Sequence, residues 1–165
     1  MATPTKLFSL CSLLMASLFA WSSSVQFDDP DWYFWFPLYA SACGVNLING
    51  IGALSLKPIS KIAKLALWLG VFLFIKVAVE DFVYGIAGFW SLDLKEKVVR
   101  EKFGSGFVVN SMYLQLQAAS VQKDYVRRKE KKVPRYVECG MAILVVASYG
   151  MSFGFFVLQK GEMKS

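Results

Sequence analysis

Charged residues fall in short clusters along this chain, and long apolar segments lie between the clusters. A helix that crosses a hydrocarbon core of ~30 Å needs about 20 mainly apolar residues. Five segments meet this requirement or come close to it, and they cover residues 7–25, 32–54, 62–79, 104–122 and 137–158. The pattern therefore predicts an all-α fold, a polytopic transmembrane helix bundle that forms a single membrane domain over residues 1–165.

Three of the segments allow more than one interpretation. Residues 104–122 carry no charge, but they include three amide side chains, which makes this segment the weakest of the five. The bundle has five spans if it crosses the membrane and four if it does not. The third segment can extend to residue 92, because the chain is apolar again after Glu80 and Asp81.

The first apolar segment also fits a cleaved signal peptide. Lys6 precedes it, and the small residues Ala20 and 22–24 lie near its end. Its 19 uncharged residues are nevertheless enough to cross a bilayer. We therefore interpret residues 7–25 as the first membrane helix, with cleavage as the open alternative.

Composition supports a membrane protein. The chain is 56% hydrophobic and only 18% charged, which is too apolar for an ordinary soluble domain. Its 18 Lys and Arg exceed its 12 Asp and Glu, but the basic residues collect between the apolar segments, above all in the loop 123–135. Membrane topology explains that distribution, so we expect no nucleic-acid partner.

The residue types argue against an enzyme. Histidine is absent, which removes the commonest metal ligand and the commonest general base at neutral pH. The three cysteines, Cys11, Cys43 and Cys139, lie within or beside apolar segments and are typical of buried small hydrophobic residues. We expect neither catalysis nor a cofactor.

The connections between the spans are unequally basic. With five spans and a cytoplasmic amino terminus, eleven Lys and Arg lie on the cytoplasmic side: Lys6, the three lysines around Pro58, and seven in the loop 123–135. Six lie on the other side. Cytoplasmic loops usually carry the excess of basic residues, so we expect this orientation. The first and third connections then share the opposite membrane face.

Two polar motifs meet at that face. The turn 26–31 holds three carboxylates within four positions. The second motif is the pair Arg100 and Glu101, which precedes the fourth segment. We therefore predict a polar cluster that consists of Gln26, Asp28, Asp29, Asp31, Arg100 and Glu101.

Three interpretations of this cluster are open. Asp29 is placed to cap the second span, with Pro30 at its first position and Asp31 in its first turn. Alternatively, Arg100 bridges to Asp28 or Asp31 and joins the first connection to the third. Carboxylate oxygens also suit calcium or magnesium, but the spacing lacks the loop of a known calcium motif, and we assign no metal site.

Polar residues within the segments are further candidates. An unpaired ionisable group in lipid costs at least ~2.5 kcal/mol, so Lys76 and Glu80 are candidate functional residues. The simpler interpretation is that Lys76 pairs with Glu80 one turn later and extends toward the interface. Asn46 and Asn49 share one helical face, where they form interhelical hydrogen bonds or, in a transporter, line a pore.

The last segment contains Gly150 and Gly154 in a G-x-x-x-G arrangement. Because glycine has no side chain, a neighbouring helix backbone can approach such a motif closely. We expect packing within the bundle first and homodimerisation second. The predicted partners are the lipid bilayer and, beyond it, other membrane proteins or a second copy of this chain.

The polar turn and the third connection resemble the transmembrane protein 220 family. Residues 25–31 read V-Q-F-D-D-P-D where the family has V-Q-x-N-D-P-D, and residues 100–104 read R-E-K-F-G in place of its R-E-x-x-G element. The similarity covers residues 7–120, so the basic loop and the last span extend beyond the family's usual pattern. Asp28 stands where the family more often has Asn, which raises the charge of the turn. The resemblance implies a small multi-pass membrane protein and no particular biochemical activity.

We therefore expect a multi-pass integral membrane protein with a structural or interaction role. The alternative is a small-solute or ion transporter or channel that uses Lys76, Glu80, Asn46 and Asn49. A membrane enzyme built on the carboxylate cluster ranks third, because the chain has no histidine and no nucleophile motif.

Overall fold

Five α helices make up the fold in the computed structural model, which describes residues 5–52, 57–85, 97–128 and 133–162. The helices are α1 (Lys6–Val25), α2 (Trp32–Gly50), α3 (Lys57–Tyr84), α4 (Lys97–Arg128) and α5 (Arg135–Glu162). A short 3-10 turn, Gln26–Asp28, follows α1, and the described residues contain no strand. The predicted all-α class is confirmed.

The helices differ from the predicted spans mainly at their ends. α2 ends at Gly50 rather than at residue 54, and Gly52 turns the chain with a φ of 98°, which glycine adopts without steric strain. Gly85, with a φ of 59°, follows α3 in the same way. Residues 86–92, the possible extension of the third span, lie outside the described residues. α4 continues through residues 123–128, so a large part of the predicted basic loop is helical.

Successive helices run in opposite directions. The Thr5 hydroxyl donates to the Glu138 carboxylate, so α1 and α5 begin at the same end of the bundle. Asp81 near the end of α3 pairs with Lys102 near the beginning of α4. We call the end where α1, α3 and α5 begin the basic end, and the end where α2 and α4 begin the acidic end.

Three segments are long and apolar enough to cross a membrane, namely Lys6–Asp28, Pro58–Tyr84 and Arg135–Val157. They correspond to α1, α3 and α5. The polar residues of α2 and α4 lower the hydropathy of these two helices, but many of those residues face each other inside the bundle.

A layer of hydrogen-bonded side chains joins α1, α2 and α4. Its members are at most 2% exposed, and we call them the polar layer: Ser12, Asn46, Asn49, Ser111 and Gln115. The Gln115 side-chain nitrogen donates to Ser12 Oγ at 2.9 Å and to Asn46 Oδ1 at 2.8 Å. Gln115 Oε1 accepts from Asn49 Nδ2 at 2.8 Å. The interhelical hydrogen bonding predicted for the two asparagines is thus present.

The polar layer also fixes how α2 and α4 align. Asn46 donates to Ser111, 65 residues later, and Asn49 donates to Gln115, 66 residues later. Tyr39 and Gly104 keep the same spacing and are in close contact: a Cβ built on Gly104 falls 2.0 Å from the Tyr39 hydroxyl oxygen. α2 and α4 therefore run parallel in one register, and glycine at position 104 is sterically required.

We predict that Gln115→Leu lowers the free energy of unfolding in detergent by about 1–3 kcal/mol, because it leaves buried polar partners on two helices unpaired. Thermal or denaturant unfolding of the purified protein measures the change. Asn110→Leu is the matched control on α4, since Asn110 is exposed and donates only to Gly106 O of its own helix. Equal loss in both variants would contradict a special role for the polar layer.

Gly104→Ala should destabilise the bundle by about 1–3 kcal/mol, because the added methyl group overlaps the Tyr39 hydroxyl. Tyr39→Phe removes that oxygen and should restore much of the loss, which a double-mutant cycle measures. Gly150→Ala is the control, since a Cβ at Gly150 meets nothing within 4 Å. The steric explanation fails if Tyr39→Phe gives no rescue.

Candidate functional site at the acidic end

The ammonium group of Lys97 lies among three carboxylates at the acidic end. Lys97 Nζ is 3.2 Å from Asp29 Oδ1, 3.1 Å from Asp31 Oδ1 and 3.4 Å from Glu101 Oε1. Lys97 begins α4, and Glu101 follows it by one helical turn. Lys97 therefore joins the turn between α1 and α2 to the beginning of α4, and we call these four residues the lysine cluster.

Asp31 is held in place from several sides. It occupies the N-cap position of α2, and its Oδ2 accepts a hydrogen bond of 3.0 Å from the indole nitrogen of the buried Trp35. Lys76 on α3 approaches the same oxygen at 3.9 Å. Three helices thus converge on one carboxylate.

Lys76 also makes the pairing that its sequence position predicted. Its Nζ lies 3.4 Å from Glu80 Oε2, one turn along α3. Both side chains are about 40% exposed, so the pair lies at the edge of the bundle and not in its core. The ionisable group in the third segment is therefore directed toward the acidic end, where it meets the lysine cluster.

A second ion pair, which the sequence analysis did not predict, is buried behind the cluster. Lys102 Nζ on α4 lies 2.5 Å from Asp81 Oδ2 on α3, and the two residues are only 7% and 1% exposed. Breaking a buried pair by removing one partner is costly, because the remaining charge is left in a medium of low polarity. The sequence could have predicted this pair from position alone. Asp81 lies just after the third apolar segment, and Lys102 lies just before the fourth.

The other predicted members of the cluster occupy different surroundings. Asp28 is exposed, and Gln26 Oε1 is buried without a hydrogen-bond partner among the described residues. The Arg100 guanidinium carbon lies 5.5 Å from the centroid of the Phe155 ring on α5, a cation–π distance. The bridge from Arg100 to Asp28 or Asp31 stays a prediction, while Lys97 makes the ion pairs that the structure describes at Asp29 and Asp31.

The capping interpretation of the turn was wrong. α2 begins at Trp32 with Asp31 at its N-cap, and the Asp31 side chain makes no capping hydrogen bond. Pro30 lies in the turn and not in the first helical position, and the Asp29 carboxylate pairs with Lys97.

The prediction that the G-x-x-x-G motif packs closely within the bundle was also wrong. A Cβ built on Gly150 or Gly154 meets nothing within 4 Å, so the face of α5 that carries these two glycines has no close neighbour among the described residues. Close approach occurs instead at Gly50, where a Cβ would lie 3.0 Å from Leu13, and at Gly70, where it would lie 3.0 Å from Val109. Homodimerisation through Gly150 and Gly154 stays a prediction.

The charges of the lysine cluster act on one another. Burial raises the pKa of Asp31, but the hydrogen bonds from Trp35 and Lys97 and the Lys97 charge together lower it below its usual value. Burial raises the pKa of Glu101, and the charge of Asp31 adds to that rise, so it stays above its usual value despite Lys97. Burial lowers the pKa of Lys97, but the surrounding carboxylates raise it overall. Lys97 is therefore a permanent cation at neutral pH.

That cation takes the position that a metal ion would need. Among the described residues, no group of three or more His, Cys, Asp or Glu side chains is arranged to hold a metal ion. The carboxylates of the lysine cluster converge on an ammonium group, which forms ion pairs with all three and donates a charge-assisted hydrogen bond of 3.1 Å to Asp31. Glu101 Oε1 has no hydrogen-bond partner among the described residues. In this arrangement, the ion pairs of Lys97 and Lys76 with Asp31 connect the beginning of α2 to α4 and α3.

We predict opposite pH effects for two carboxylates of the cluster. Because the pKa of Glu101 is raised in the folded state, its contribution to stability is full below its ordinary value of 4.5 and is lost as pH rises through the folded value. Glu101→Gln mimics the neutral form of the side chain, so this variant should not lose stability as the pH rises. We expect it to be at least as stable as the wild type at pH 7.

Asp31 is the counterpart, because its folded pKa is lowered. Its contribution is present above its ordinary value of 3.8 and disappears as pH falls through the folded value. Asp31→Asn should therefore destabilise the protein at pH 7 and have little effect at strongly acidic pH. Unfolding measured across this pH range tests both variants, and parallel profiles for the two would contradict the assignment.

Comparison with known proteins connects this site to a family. The model of transmembrane family 220, a helical transmembrane family, matches residues 18–117. That region contains all four residues of the lysine cluster, the end of α1, all of α2 and α3 and the larger part of α4, while α5 and the basic loop lie outside it. Comparisons with curated proteins and with solved structures find no match.

Proposed function

Since the chain belongs to transmembrane family 220, and is thus an integral membrane protein, we propose that it has a non-enzymatic, structural or interaction role. In this proposal it crosses the membrane five times with its amino terminus in the cytoplasm. The role is exerted through contacts of the assembled bundle with lipids or with other membrane proteins.

The observation that carries this proposal is the burial of the polar layer and its hydrogen bonding between helices. Asn46 and Asn49 were the candidates to line a pore, yet both are at most 2% exposed and both hydrogen-bond to α4. Polar groups that have no water must find partners within the protein. Both polar atoms of the Asn46 amide and the Asn49 amide nitrogen find them on α4, while Asn49 Oδ1 has no hydrogen-bond partner among the described residues. Their chemistry is used for cohesion of the bundle.

The remaining candidates for transport are also engaged. Lys76 pairs with Glu80 and lies near Asp31. The crevice beside Asn49, between α2, α3 and α4, contains no space that a water molecule could occupy. A solute path through this part of the bundle would require the helices to separate.

Five crossings are supported by the alternation of helix directions. Hydrogen bonds pair Thr5 with Glu138 and Ser17 with Tyr149, at separations of 133 and 132 residues, so α1 and α5 are parallel. The ion pairs of Lys97 join the first and third connections at the opposite end. This arrangement agrees with the topology that the loop charges favour.

We predict that Asn49→Cys, in a background without Cys11, Cys43 and Cys139, does not react with a membrane-impermeant thiol reagent in sealed vesicles. The reason is that position 49 is only 2% exposed and lies beside residues of α3 and α4. Labelling is measured by the mass of the purified protein. Reaction of the folded protein at position 49 would favour the transporter alternative.

Two controls complete the measurement. Asp28→Cys and Arg135→Cys replace exposed residues at the acidic and basic ends, respectively. Each should react, and from opposite sides of the membrane if α1, α3 and α5 all cross in the same direction. Reaction of both from one side would overturn the proposed topology and leave the result at position 49 intact.

A further inference from the structure

The two ends of the bundle treat their basic residues differently. At the acidic end, Lys76, Lys97 and Lys102 make ion pairs, while Lys160 near the end of α5 is exposed. The basic end has four exposed cations in the described residues: Lys6, Lys61, Lys64 and Arg135. Within the described part of the chain, none of these four has a carboxylate oxygen within 4 Å.

The nearest acid on α5 does not fill this gap. Glu138 follows Arg135 by three residues, but its carboxylate accepts the hydrogen bond from the Thr5 hydroxyl. The exposed cations of the basic end therefore lack an anionic partner within the described chain. An anion supplied from outside would complete their pairing.

The positions of these cations indicate where that anion lies. Leu65 follows Lys61 by one turn and is 70% exposed, and Trp68 follows Lys64 by one turn and is 73% exposed. One turn advances ~5.4 Å along a helix, so each ammonium group stands just outside an apolar surface that faces lipid. Tryptophan is typical of the interface between hydrocarbon and headgroups. Lys61 and Lys64 are therefore at headgroup depth.

The cations are also spread around the bundle. α3, which carries Lys61 and Lys64, packs against α2 and α4, whereas α1, which carries Lys6, packs against α2 and α5. A protein partner would meet one side of such a bundle, but a lipid leaflet surrounds all of it. The distribution therefore favours lipid as the partner.

We infer that the basic end binds the headgroups of anionic phospholipids in the leaflet that it faces, with Lys61 and Lys64 as the principal contacts on α3. Their phosphate groups supply the negative charge that the chain does not. Lys6 and Arg135 make equivalent contacts on α1 and α5. This inference rests on the proposed function, because it names the lipid class with which the bundle interacts.

The test uses the full-length protein in nanodiscs of phosphatidylcholine and phosphatidylglycerol in equal amounts. Native mass spectrometry measures the ratio of the two lipids that the released protein retains. We expect the wild type to retain phosphatidylglycerol preferentially. A lysine or arginine near an anionic surface strengthens binding about fivefold, so Lys64→Gln should lower the preference by about that factor. Lys61→Gln combined with Lys64→Gln should lower it further.

Three controls make the outcome decisive. Lys61→Arg with Lys64→Arg keeps the charge and should keep the preference. Lys160→Gln removes an exposed cation near the acidic end and should leave the preference unchanged. The melting temperature should be similar for all variants, because none of the substituted side chains is buried.

An unchanged lipid ratio in the double Gln variant would overturn the inference, as would an equal loss in Lys160→Gln. Retention of an acidic protein without a preference for phosphatidylglycerol would overturn it as well. None of these results would alter the cysteine labelling pattern, so a failure here is distinguishable from a failure of the proposed function or topology.

Discussion

One register between α2 and α4 holds the structure together, and it follows from the need to satisfy polar groups away from water. Lys97 pairs with Asp31, Ser111 with Asn46, and Gln115 with Asn49, at separations of 66, 65 and 66 residues. Sliding one helix along the other by a single residue would break all of these contacts together. Because lipid cannot replace the hydrogen bonds that Ser111 and Gln115 would lose, the alternatives are costly. The ion pairs of the lysine cluster and the hydrogen bonds of the polar layer therefore depend on the same register.

The remaining helices attach to this parallel pair. α1 enters the polar layer through Ser12, and α3 is tied to α4 by the buried pair of Asp81 and Lys102. Apolar packing fills the space between these anchors, with Phe8, Phe19 and Leu73 fully or almost fully enclosed. Polar contacts thus set the alignment, while apolar contacts and close approaches such as Gly104 against Tyr39 supply the fit. This division suits a protein whose surroundings provide no hydrophobic driving force between helices.

The two ends of the bundle have separate electrostatic roles. The acidic end is internally balanced, since Lys97 neutralises carboxylates from two connections and Lys76 extends toward the same place. At the basic end, the described cations are exposed. The acidic end therefore uses its ion pairs to hold its own helices together, whereas the exposed cations at the basic end have no carboxylate within 4 Å among the described residues. The proposed structural role and the proposed lipid preference both rest on this contrast.

Much of this was determined by the sequence itself. The length of the apolar segments predicts five helices and the spacing of Lys76 and Glu80 predicts their ion pair, because these properties belong to contiguous stretches of chain. The orientation in the membrane, inferred from the distribution of Lys and Arg, stays a prediction. Which side chains meet across helices depends on how each helix is rotated, and only the tertiary structure decided that. It selected Lys97 to hold Asp29 and Asp31, joined Gln115 to the two asparagines, and left Gly150 and Gly154 without a neighbour. The physical reason is that a buried polar group needs a partner at a specific distance and angle, and helix packing determines which residue is there.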